Sequence, residues 1–131
     1  MADKDVEKTE EIFDPLMDAE EAFLHQRGPG KDKIEAWKKE FGYLEWMAFD
    51  DEVFVYRSIN RSEYRRIFTQ SPPTALAEME SFVEEEIIKA ALLFPAYDTI
   101  DWEKRAGLQR TLSDNIMRLS GFQPTVGPRR I

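Results

Sequence analysis

Residues 53–64 read Val53-Phe54-Val55-Tyr56-Arg57-Ser58-Ile59-Asn60-Arg61-Ser62-Glu63-Tyr64, and this stretch decides the fold by changing character halfway. Val53 to Ile59 is dense in β-branched and aromatic side chains, the composition of a strand. Asn60 then offers a side-chain oxygen to the first turn of a helix. Glu63, three residues on, completes a capping-box pattern ahead of Tyr64, Ile67 and Phe68. A strand that runs straight into a capped helix predicts an α+β chain.

Upstream, Tyr43 to Phe49 has the same strand-like composition, and Asp50-Asp51-Glu52 is a short polar connection, so the two runs form a β-hairpin. Leu44, Trp46 and Ala48 point to one face, Met47 and Phe49 to the other. On the second strand Phe54 and Tyr56 oppose Val53 and Val55. Both faces are largely apolar, whereas a half-exposed hairpin alternates apolar with polar. Two strands alone are marginal in water. Either helices wrap both faces, or one face or edge is a binding surface.

Helices are expected on both sides of this hairpin. Ile34, Trp37 and Phe41 give Lys31 to Phe41 an amphipathic spacing, ended by Gly42. Beyond the hairpin, Ser71-Pro72-Pro73 breaks the capped helix. Leu76, Met79, Val83, Ile87, Ala90 and Phe94 then recur at helical steps up to Pro95. A polar link, Ala96 to Arg105, carries Trp102. Leu108, Leu112, Ile116 and Leu119 mark a last helix, about residues 107–120, with Gly121 as its cap.

At 131 residues the chain has room for one core. We read residues 31–122 as a single, mostly helical α+β domain with one hairpin. Residues 123–131 are expected to be a frayed tail. No cysteine is present, which suits a reducing compartment. No apolar run approaches the roughly 20 residues of a membrane span, and the acidic N-terminus does not resemble a secretory signal. The cytoplasm is the expected location.

Of the net charge of −8, residues 1–24 hold nine acidic side chains against two lysines, so the acidity belongs to the start of the chain. Residues 1–30 read as an acidic leader, closed by Gly28-Pro29-Gly30. It is expected to be largely disordered or, from the spacing of Ile12, Leu16 and Phe23, to hold a short helix that folds back or docks on a partner.

The residues of catalysis are sparse. His25 is the single histidine and reads as a linker residue. Asp50-Asp51-Glu52 is a turn, and Glu84-Glu85-Glu86 spreads its carboxylates around a helix. Gly28-Pro29-Gly30-Lys31 lacks the spacing of a phosphate loop. We therefore expect no enzyme, no cofactor and no metal. Arg57, Arg61, Arg65 and Arg66 lie among Tyr56, Tyr64 and Phe68, a pattern that nucleic-acid surfaces use. The body outside the leader is slightly acidic and offers glutamate partners, so no nucleic acid is expected either.

The order of short motifs is informative in a different way. A lysine-rich stretch around Trp37 leads to Gly42, then to Phe54-Val55-Tyr56-Arg57 and Asn60-Arg61-Ser62-Glu63-Tyr64. Glu84-Glu85-Glu86-Ile87-Ile88 runs to Leu93-Phe94-Pro95, and Ala106-Gly107 precedes Ile116 to Leu119 and Ser120-Gly121-Phe122. Over residues 37–122 this series resembles the tail assembly chaperones and baseplate-hub assembly proteins of large contractile-tailed bacteriophages. The resemblance implies a non-enzymatic factor in the host cytoplasm that holds a tape measure or baseplate-hub protein during tail assembly. The alternatives are a structural baseplate or tail component of the virion and a generic interaction adaptor. The expected contact residues are Trp46, Phe54, Tyr56, Arg57 and Tyr64, with Trp37 at the margin.

Overall fold

The computed structural model describes residues 15–70, 76–122 and 130. The described residues form an α+β domain of five α-helices and one antiparallel sheet. Helix α1 spans Pro15–Arg27 and α2 spans Lys31–Phe41; strands β1 and β2 span Leu44–Phe49 and Glu52–Arg57. Helix α3 (Arg61–Thr69) and helix α4 (Leu76–Ala91) follow, then strand β3 (Leu92–Phe94), a 3-10 turn (Tyr97–Thr99) and helix α5 (Ala106–Leu119).

The hairpin forms as expected, with Trp46 opposite Val55 and Met47 opposite Phe54. Its connection is tighter than the sequence suggested. Glu52 already pairs with Phe49, so Asp50 and Asp51 alone make the turn, with φ of 51° and 62°. Positive φ at both central residues is the geometry that matches a hairpin's twist, and aspartate tolerates it better than most side chains.

The sheet has one strand more than the sequence indicated. The apolar periodicity up to Phe94 reads as continuous helix, but α4 ends at Ala91 and Leu92–Phe94 pairs antiparallel with β2. Phe94 precedes Pro95, which disfavours helical backbone there. The free edge of β2 offers a ladder in its place. Strand β2 is therefore central and β1 and β3 are the edges.

Helices cover both faces of the sheet, and this explains why both are apolar. On one side Phe54 and Tyr56 are fully buried in the main core with Ile67 of α3, Ile87, Ile88 and Ala91 of α4, and Leu108, Leu112 and Ile116 of α5. On the other side Phe23 of α1 stacks on Trp46 at 6.4 Å, and Val53, Val55 and Ile34 of α2 are buried.

Part of the expected leader thus belongs to the fold. Residues 15–27 form α1 and pack on the sheet, which moves the domain boundary upstream of residue 31. Gly28 allows this close approach, because a Cβ there would overlap the carbonyl oxygen of Leu24 and lie 3.4 Å from Val53 Cγ1. The expectations for residues 1–14, for the Ser71-Pro72-Pro73 break and for residues 123–129 fall outside the described residues.

Candidate protein-interaction face

Helix α3 starts as its sequence dictates. Asn60 Oδ1 accepts from the Glu63 amide at 2.8 Å, and Glu63 Oε1 accepts from the Asn60 amide at 2.9 Å. Glu63 also receives both terminal nitrogens of Arg57, at 3.1 and 2.7 Å. Those nitrogens further donate to the carbonyls of Ser58 at 3.0 Å and Ala90 at 2.8 Å. The Arg57 guanidinium lies 5.0 Å from the centre of the Phe41 ring. Arg57 thus ties β2 to the start of α3 and the ends of α2 and α4. This pairing holds the Glu63 carboxyl below the usual carboxylate range.

With its start pinned, α3 presents Tyr64 and Phe68 one turn apart on the same side, ring centres 4.8 Å from each other. Phe122 completes the cluster, its ring 4.4 Å from Tyr64. It is held there by the end of α5. Gly121 adopts φ 87°, its amide donates to the Arg118 carbonyl, and the Phe122 amide donates to the Met117 carbonyl. This is a Schellman cap, whose C″ residue makes the apolar contact that commonly accompanies it. Phe68 is 43 % exposed and Phe122 41 %. Tyr64, Arg65, Phe68 and Thr69 line a shallow hollow on this face.

Two more aromatic rings are exposed, Phe41 at 37 %, which lies against Arg57, and Tyr43 at 76 %. Arg61, Arg65 and Arg66 are exposed along α3, and none makes an ion pair among the described residues.

The expected contact residues divide. Tyr64 sits at the centre of this face, half-buried. Phe54 and Tyr56 do not belong to it: they point into the main core, and the Tyr56 hydroxyl donates to Glu45 Oε1 at 2.6 Å. Burial, then the Glu45 carboxylate, push that phenol far above its ordinary range. Arg57 is also withdrawn from contact, since its terminal nitrogens are taken up inside the molecule. Trp46 is half-buried beneath Phe23 and forms a wall of a separate cleft of about 350 Å³, with Leu24, Ile34 and Val55. Lysines and glutamates of α1, α2 and β1 share its rim, along with His25, whose buried Nδ1 has no hydrogen-bond partner among the described residues. Trp37 is half-buried on α2, 6.0 Å from Lys33 Nζ.

The sequence reading overlooked Phe68 and Phe122 as contact residues. Their signals were present: Phe68 lies four residues after Tyr64 beside the core residue Ile67, and Phe122 follows a helix-ending glycine.

Other ion pairs join distant parts of the fold. Arg105 pairs with Glu52, lowering that carboxyl, and Arg118 binds Glu45 at 2.7 Å. Among the described residues no cluster of three or more histidines and carboxylates has metal-binding geometry, and no helix is long and apolar enough to cross a membrane. Comparison with protein-family models, with curated proteins and with solved structures returns no match.

Proposed function

We propose that this chain is a non-enzymatic assembly factor that holds an apolar segment of a client protein on the face built by Tyr64, Phe68 and Phe122. The observation that carries the reading is that cluster itself. Tyr64 touches both Phe68, on its own helix, and Phe122, at the end of α5, yet Phe68 and Phe122 stay more than one third exposed. Aromatic side chains that are ordered before binding lose little conformational freedom on contact and are enriched in the energetic centres of interfaces. Surrounding charge on an acidic chain keeps such a face soluble between encounters.

The motif series of residues 37–122 supports a particular client, the tape measure or baseplate-hub protein of a contractile-tailed phage, met in the host cytoplasm. Co-expression with a tape measure protein, followed by pull-down and a solubility assay, tests this. The wild-type chain is expected to co-purify with the client and keep it soluble, and the pair of changes Phe68→Ser and Phe122→Ser is expected to lose both effects while retaining the helical circular dichroism spectrum. Absence of co-purification by the wild type, together with recovery of the chain from purified virions, would replace this reading with that of a structural tail component.

A further inference from the structure

The arginines of α3 give the aromatic face a chemical preference. Each of the arginines Arg57, Arg105, Arg110 and Arg118 has a carboxylate within ion-pair distance. Arg61 and Arg65 have none among the described residues, although the chain carries an excess of eight negative charges. The nearest carboxylate on their own helix, Glu63, is already engaged by Arg57 on both oxygens.

Position sharpens the contrast. Arg61 and Arg65 are one turn apart, as are Tyr64 and Phe68, so a basic column runs beside an aromatic column on the exposed side of α3. Arg65 itself lines the hollow with Tyr64 and Phe68. Arg66, on the flank towards α4, lines a different hollow with Glu63, Glu86 and Lys89.

We infer that the face selects a partner segment in which an apolar anchor is flanked by carboxylates one helical turn apart. The anchor fills the hollow lined by Tyr64, Phe68 and Thr69, and the carboxylates meet Arg61 and Arg65, whose planar donors suit them. This inference rests on the proposed client-binding role of the same face and adds the chemistry of the bound segment. Complementary charge of this kind governs partner choice and encounter rate more than total affinity. The charge preference is therefore separable from apolar binding.

The test uses the full chain and fluorescein-labelled helical peptides of about 16 residues, each with a leucine and phenylalanine stripe. Three versions carry glutamate, glutamine or lysine at the flanking positions, and binding is followed by anisotropy. The glutamate peptide is expected to bind roughly tenfold more tightly than the glutamine peptide in dilute salt, with the gap closing as salt screens the charges. Arg61→Gln with Arg65→Gln is expected to abolish the preference, so that the glutamate and glutamine peptides bind with equal affinity. Phe68→Ser is expected to weaken binding of every peptide.

Equal affinity for the glutamate and glutamine peptides would overturn the inference while leaving the aromatic face as a client site. Binding of none of the peptides would overturn the inference, and the tape measure pull-down would then decide the client-holding role separately. Tighter binding of single-stranded oligothymidine than of the glutamate peptide would assign the arginines to nucleic acid. A dimer in sedimentation velocity that Phe68→Ser dissociates would assign the face to a second copy. Either of these last results also overturns the inference.

Discussion

Arg57 occupies the position at which the strand, the capped helix and the end of α4 meet, and it donates to Glu63, Ser58 and Ala90. Truncation to alanine removes one member of a mostly buried ion pair and takes its donors from two acceptors, the Glu63 carboxylate and the Ala90 carbonyl, which cannot pair with each other. Arg57→Ala is expected to lower unfolding free energy by about 3 kcal/mol in urea titrations. Arg57→Lys is expected to recover only part, because an ammonium cannot reproduce the fork. Glu63 adds a pH signature. Its carboxyl titrates lower in the folded chain than in the unfolded one, chiefly through the hydrogen bonds from Arg57. The associated stability is complete above the ordinary glutamate value of about 4.3 and is lost as pH falls through and below it. Glu63→Gln is expected to flatten that part of the stability–pH curve. The capping partnership of Asn60 and Glu63 was legible in the sequence because its spacing is local. The engagement of Arg57 was not, because Ala90 is 33 residues away.

Elements show the same division between local and distant information. The boundaries of α2 and α5 follow glycines and apolar spacing and lie within a residue or so of expectation. Strand β3 escaped because its three residues continue the apolar rhythm of α4, and only pairing with β2 distinguishes strand from helix there. Two substitutions probe the turns that the fold depends on. Asp51, at φ 62°, is held in a conformation that glycine adopts without steric cost. Asp51→Gly is expected to raise stability by about 0.5–1 kcal/mol in thermal or urea unfolding. Gly121, at φ 87°, is the opposite case. Gly121→Ala is expected to cost about 1 kcal/mol and to release Phe122 from Tyr64, which nuclear Overhauser contacts between the two rings would report.

Across the whole molecule, the two apolar faces of the hairpin were apparent from alternation alone, but not what covers them. The main-core face receives α3, α4 and α5; the other receives α1 and α2, including residues expected to lie outside the domain. The spacing of Leu16 and Phe23 allowed for a short helix that folds back, as α1 does, but the acid-rich composition left disorder as the other reading and kept this segment out of the expected domain. Phe23→Ala is expected to uncover Trp46. In a background with Trp37→Phe and Trp102→Phe, acrylamide quenching of the remaining tryptophan should rise, and an unchanged quenching constant would show that α1 does not shield it. Of the candidate contact face the sequence reading named only Tyr64; Phe122 reaches it from a distant part of the sequence, and only the fold joins the two.

The cap at Gly121 has a practical corollary. It sets the direction in which the backbone leaves α5, and it does so beside Tyr64. A bulky reporter fused after Phe122 would therefore be tethered within a few residues of the aromatic rings and compete with any visitor for them. A reporter attached in the Asp50-Asp51 turn, at the far end of the hairpin from Arg57, would leave them open.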